Sequence, residues 1–154
     1  MKVLIIYDSK YGNTKIVTEN ILVGIKQVEG IDTAICYAKD VDPQIIASYD
    51  ALIIGAPNHM ASPSQTMKKF VDNLTEINLN AKSVAVFGTY SGRVRVTDRA
   101  VKKMEKIVEK TLPNLKLLSP SLSVRVKGVT GPVADGELSK CQDFGKRIAK
   151  QLNT

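Results

Sequence analysis

Along the chain, short apolar runs alternate with stretches in which apolar residues recur every three or four positions. Lys2–Tyr7 is a nearly continuous apolar run, the pattern of a strand buried on both faces. Thr14–Val28 places Val17, Ile21, Leu22, Ile25 and Val28 on one stripe, which predicts a helix. Thr33–Ala38 predicts a second strand, Pro43–Ser48 a short turn or helix, and Ala51–Gly55 a third strand. A loop rich in Pro and Asn follows. Ser64–Ile77 carries Met67, Phe70, Val71 and Leu74 at helical spacing, Ser83–Gly88 reads as a fourth strand, and Val96–Leu112 as a further helix. Residues 115–127 predict a fifth strand interrupted at Pro120, because proline cannot donate to a central ladder. The last helix spans about Gly136–Leu152, with Leu138, Cys141, Ile148 and Leu152 on one side. Repeated strand–helix alternation predicts an α/β, three-layer doubly wound domain with a five-stranded parallel sheet.

No linker or repeat divides the 154 residues, so residues 1–154 are expected to form a single domain. With 44% apolar and 24% charged residues, wholesale disorder and a disulfide scaffold are excluded. The longest apolar runs, Val3–Tyr7 and Ala51–Pro57, are far below the ~20 residues of a membrane span. The run after Met1-Lys2 ends at Asp8, too short for a signal h-region. A soluble, cytoplasmic, monomeric protein without membrane contact is expected.

Charge is unevenly placed. Residues 1–77 hold seven Lys/Arg and nine Asp/Glu, a balance of −2; residues 78–154 hold fifteen and six, a balance of +9. Acidic partners are therefore expected. Nucleic acid is not, since eight aromatics and no recognition motif offer little to read or stack bases. Lys102, Lys103, Lys106 and Lys110 fall on what would be a solvated helix face. Two distant cysteines, Cys36 and Cys141, and one histidine, His59, fall short of a zinc site; both thiols sit among apolar residues and read as buried rather than reactive. No metal site and no catalytic side chain are assigned.

In parallel sheets of this kind ligands bind beyond the carboxyl ends of the strands. The loops that decide function are then Asp8–Thr14, Ala56–Pro63 and Thr89–Val94. In the first, Ser9 and Thr14 offer hydroxyls, Asn13 an amide, Lys10 a positive charge, and Gly12 a tight turn. The helix start behind the loop points unpaired N–H groups at whatever occupies it, a cradle for phosphate. The alternative is a plain Gly-Asn turn capped by Thr14. Neither GxGxxG nor GxxxxGK[ST] occurs, which argues against NAD and ATP.

Ser9-Lys10-Tyr11-Gly12-Asn13-Thr14 resembles the Ser/Thr-x-Thr-Gly-x-Thr loop of the flavodoxin family, with Tyr11 replacing the middle hydroxyl residue. Element order is similar throughout, and Glu137–Cys141 with Gly145–Ala149 resembles the flavodoxin-like domain of flavodiiron proteins. The resemblance implies a sheet in the order 2-1-3-4-5 and bound FMN. It also implies that Ala56, Pro57, Asn58, His59, Met60 and Ala61 cover one face of the flavin ring, and Thr89, Tyr90, Ser91 and Gly92 the other. Tyr90 is the natural stacking residue. His59 or Met60 stands where many family members have tryptophan, and Asn58 and Gly92 act through the backbone, where a flipped peptide can accept a hydrogen bond from the reduced ring.

Arg93, Arg95 and Arg99 depart from the acidic character of the family. One such charge ~7 Å from the ring at an effective dielectric of ~40 contributes on the order of 1 kcal/mol, or roughly 50 mV. The function implied is electron transfer between redox proteins, with the flavin supplying the chemistry. The alternatives are an NAD(P)H-dependent flavin or quinone reductase of the same fold, and a flavin-free scaffold domain.

Overall fold

The computed structural model describes residues 1–59, 62–92 and 98–154, with the side chain of His59 also left aside. Strand β1 (Lys2–Tyr7) lies at the centre of a sheet, between β2 (Asp32–Tyr37) and β3 (Ala51–His59). Beyond β3 come β5 (Ser83–Tyr90) and then β6 (Lys116–Leu117), all parallel, in the order β2-β1-β3-β5-β6. The strand β7 (Leu122–Arg125) pairs with the far half of β5, through Phe87↔Leu122 to Tyr90↔Arg125. Thus β6 and β7 are one interrupted fifth strand, broken around Pro120, and the expected order 2-1-3-4-5 holds.

Apolar residues on both sides of each central strand explain why the sheet is covered on both faces. Leu4, Ile6, Leu52, Ile54, Val84 and Val86 point into one core. That core is closed by α3 (Gln65–Asn73), with its 3-10 extension Leu74–Glu76, and by α4 (Arg99–Thr111). Val3, Ile5, Ala51, Ile53, Ala85 and Phe87 point into the other, beneath α1 (Asn13–Ile25) and α5 (Glu137–Leu152). Alternation of side chains along a strand produces this sorting directly. The short helix α2 (Pro43–Ile46), capped by the Asp42 side chain on the Gln44 N–H, adds Ile46 to the first core. Glycines let α1 and α5 touch closely: a Cβ on Gly24 would stand 1.9 Å from the Gln142 carbonyl oxygen, and one on Gly145 2.1 Å from that of Ile21.

Three boundaries differ from the sequence pattern. Ala56 to His59 continue β3 instead of beginning a loop, because Ala56 and Pro57 pair with Gly88 and Thr89 of β5 and β4 (Ser62–Pro63) folds back antiparallel, Asn58 opposite Pro63 and His59 opposite Ser62. Thr89 and Tyr90 likewise extend β5, held by Val124 and Arg125 of β7. Neither pairing leaves a mark in local periodicity. The helix predicted from Thr14 to Val28 stops at Ile25, followed by turn bonds from Gln27 N–H to Gly24 and Val28 N–H to Ile25.

Candidate functional site

At the carboxyl edge of the sheet, residues from four segments surround one cleft. Ser9, Lys10, Tyr11, Asn13 and Thr14 come from the β1–α1 loop; Pro57 and Asn58 from the end of β3; Thr89, Tyr90 and Ser91 from the end of β5. The fourth segment, Val126, Gly128 and Val129 after β7, was not anticipated. The rule that ligands bind beyond strand carboxyl ends applies equally to the fifth strand, and the Gly128 and Gly131-Pro132 turn was the available signal.

The β1–α1 loop is built as a cradle. Gly12 takes a left-handed conformation, φ 89°, as the residue preceding α1, a region closed to most side chains. Its N–H donates to Ser9 Oγ at 3.0 Å, which closes the loop. The first helical bond runs from Ile16 N–H to Gly12 O at 3.1 Å, and no side chain caps the helix. The N–H groups of Asn13, Thr14 and Lys15 therefore have no partner among the described residues, and they stand at the end of the helix that carries about half a positive charge. Thr14 is not the cap expected in the plain-turn alternative. Its hydroxyl, 1% exposed, instead meets the Thr89 hydroxyl at 3.1 Å, joining the cradle to the end of β5. Lys10 Nζ lies 5.3 Å from the centre of the Tyr11 ring. Gly131 packs against Asn13 so closely that a Cβ there would be 2.5 Å from Asn13 Oδ1.

The remaining walls differ in character. Asn58 Oδ1 is buried without a hydrogen-bond partner among the described residues, an acceptor left open beside the cleft. Tyr90 lines the cleft and is 7% exposed. Ser91 and Gly92 are exposed, and Gly92 has φ 126° without lining the cleft. Tyr11 and Val129, 48% and 72% exposed, make an apolar rim. Met60, Ala61, Arg93, Arg95 and the side chain of His59 lie outside the described residues, so the ring-face and arginine expectations placed on them gain no geometry. Arg99 is exposed in the first turn of α4.

Titratable groups near the cleft are few. Burial, with the Asp8 carboxylate second, pushes the Tyr37 phenol up, and its ring stands 5.5 Å from that of Tyr7 at the same sheet edge. Burial, helped by Glu137, pushes the Cys141 thiol up to about 12, and burial with Asp40 raises Cys36. Both cysteines are free thiols held protonated at neutral pH. Glu137 itself is tied down, accepting from the Arg125 N–H at 2.9 Å and pairing with Lys140 at 2.8 Å. The described cleft lining contains no carboxylate, imidazole or thiol. Among the described residues no cluster of potential metal ligands occurs, and no helix is long and apolar enough to cross a membrane.

A family model for the flavodoxin domain matches residues 4–119, three-quarters of the chain. The chain belongs to the flavodoxin domain family. A flavodoxin of Clostridium saccharobutylicum is 35% identical over 89 residues, covering 58% of this chain and 56% of that protein. One of Aquifex aeolicus is 33% identical over 73 residues, 47% of this chain and 40% of that protein. The matches thus span about half the length of these curated relatives or less. Among solved structures, a Bacillus cereus flavodoxin superposes with a TM-score of 0.78 at 23% identity, covering 100% of both chains. A flavodoxin from the domain Archaea gives 0.75 at 23% identity, again over 100% of both. The flavodiiron core of a Synechocystis protein gives 0.77 at 19% identity, over 99% of this chain and 36% of that one. At these identities the superpositions speak for the flavodoxin fold.

Proposed function

We propose that this flavodoxin-family protein binds FMN in the cleft and carries electrons between redox proteins. The observation that carries the reading is the cradle: three N–H groups at the start of α1 without a partner among the described residues, the left-handed Gly12 turn, and hydroxyls at Ser9 and Thr14, all at one end of a cleft whose described lining, apart from Lys10, is uncharged. Such an end fits a phosphate, and the open Asn58 acceptor fits a ring that carries N–H donors. When bound, FMN supplies reversible one-electron chemistry.

This chain's residues bind and orient. The N–H groups of Asn13, Thr14 and Lys15 hold the phosphate, and Lys10 adds a positive charge beside it. The Thr14–Thr89 hydroxyl pair keeps the phosphate end in register with the β5 wall. Pro57, Asn58, Tyr90 and Ser91 flank the ring, with His59, Met60, Thr89 and Gly92 in the same two segments, while Val126 and Val129 shield it from water. No acid, base or nucleophile is required of the walls. The protein acts as a monomer of one domain in the cytoplasm, a setting in keeping with its two free thiols. Its partners are redox proteins with acidic docking surfaces, in keeping with the +9 balance of residues 78–154.

Titration of the purified protein with FMN and with riboflavin, followed by flavin fluorescence, tests the reading. FMN should bind at least ~10-fold more tightly, since losing the phosphate contacts removes more than ~1.4 kcal/mol. Equal affinity for the two would place the phosphate elsewhere, and binding of neither would refute the function.

A further inference from the structure

The positive charge of the second half is sorted on helix α4. At about 100° per residue, Arg99, Lys103, Lys106 and Lys110 fall within about 60° of one another around the helix. The acids Asp98, Glu105 and Glu109 gather on a separate flank, and Val101, Met104 and Val108 face the core. All four cations are exposed. Lys102 pairs with Asp98 at 3.1 Å, but the four on the ridge have no ion-pair partner among the described residues. Arg99–Lys103, Lys103–Lys106 and Lys106–Lys110 are like-charged neighbours that repel along the helix, and Arg99 stands in the first turn, where the helix dipole disfavours a cation. Only Lys110, in the last turn, is favoured by the dipole, and the like-charge spacing along the ridge itself adds nothing to helix stability.

Its position gives it another use. Val101 packs on Gly88, where an added Cβ would stand 2.8 Å from Val101 Cγ2, and Gly88 directly precedes the cleft residues Thr89 and Tyr90. Helix α4 thus packs against the strand that leads into the cleft wall, and the ridge, on the face of α4 turned away from that contact, runs about 16 Å along the side of the molecule.

We propose that Arg99, Lys103, Lys106 and Lys110 form the docking surface for an acidic electron-carrier protein, which they hold with its redox centre near the cleft. The inference rests on the carrier reading and locates its partner surface. In each encounter one electron leaves one protein's centre and enters the other's, so one is oxidised and the other reduced by a single electron. A carrier protein is favoured over other polyanions because the helix that carries the ridge packs on the strand leading into the cleft wall, where only a redox partner gains from proximity.

The test mixes FMN-loaded protein anaerobically with a reduced, acidic two-iron ferredoxin and follows flavin bleaching over a series of ionic strengths. Wild type should react fast at low salt and slow steeply as salt rises. The triple variant K103E/K106E/K110E should react at least ~10-fold more slowly at low salt and show a flattened dependence, with FMN affinity and thermal midpoint unchanged. Should the reversal impair folding, K103Q/K106Q supplies the same comparison with a smaller, same-signed change. Equal rates and slopes for wild type and variant overturn the docking site while leaving the carrier reading intact. So does electron transfer from the reduced protein to basic ferricytochrome c that slows, rather than quickens, as salt is added. Ridge-dependent binding of a short DNA duplex or of phosphatidylserine vesicles, with unchanged ferredoxin rates, overturns it in favour of a nucleic acid or a membrane. Failure of wild type to exchange electrons with either protein refutes the carrier reading itself.

Discussion

The hydroxyl pair Thr14–Thr89 is the single side-chain bond described between the cradle and the β5 wall, and its removal has a calculable signature. The two oxygens are 3.1 Å apart, with Thr14 1% and Thr89 5% exposed, so water cannot replace a missing partner. Replacing either threonine by the isosteric valine leaves the other hydroxyl buried and unsatisfied, at a cost of about 1–3 kcal/mol. Replacing both removes donor and acceptor together and returns most of that loss. A double-mutant cycle by urea denaturation of the flavin-free protein reads the difference. Each single variant should lower the midpoint by ~1 M for a loss of ~2 kcal/mol and an m-value of ~2 kcal/mol/M, and T14V/T89V should lie well above the sum of the two. FMN affinity should fall in the double variant even as stability recovers, because no side-chain bond then ties the cradle to the β5 wall beside the cleft. Strict additivity of the two substitutions would refute the pairing.

Gly145→Ala should cost ~3 kcal/mol or more and lower the thermal midpoint by ~6–12 °C, because the new Cβ meets the Ile21 backbone, which cannot swing aside as a side chain could; an unchanged melt contradicts the close α1–α5 contact. Tyr90→Ala should destabilise the flavin-free protein by ~3–5 kcal/mol, as expected of a buried aromatic. A variant that keeps its stability and loses only flavin affinity would show that Tyr90 serves the cleft and not the core. Cys141 should resist iodoacetamide at pH 8 in the folded protein and react once urea unfolds it. The sign for stability follows: the folded thiol titrates near 12 and the unfolded one near 9.0, so the unfolded state binds fewer protons between them. The Cys141 contribution is full below pH 9 and is lost as pH rises toward 12, and Cys141→Ala should flatten that alkaline decline.

Much of this molecule was written in its periodicities. Lys2–Tyr7 matches β1 residue for residue, and the proline at 120 marked the break between β6 and β7. These features are local, set by burial on both faces and by a missing N–H. The cradle was equally legible, since Gly12 and the hydroxyls beside it must follow β1 and open α1. What local pattern could not show was pairing at a distance. Thr89 and Tyr90 read as loop because their place in β5 depends on Val124 and Arg125, and Asn58 and His59 because theirs depends on Ser62 and Pro63. The bond from Thr14 to Thr89 spans 75 residues and has no signature in either segment. The burial of Tyr90 likewise depends on what packs around the end of β5, which its own segment does not show. Val126, Gly128 and Val129 entered the cleft unannounced for the same reason, carried there by the strand before them.

The central claim, a one-electron FMN carrier, is tested most directly by anaerobic reduction of the FMN-loaded protein in small steps, followed by its visible spectrum. The account predicts that flavin remains bound after gel filtration and that reduction resolves into two successive one-electron stages. Retained flavin that passes to the fully reduced form in a single two-electron stage would contradict it and favour a reductase. Loss of all flavin on the column would leave a flavodoxin-fold domain whose cleft serves something else.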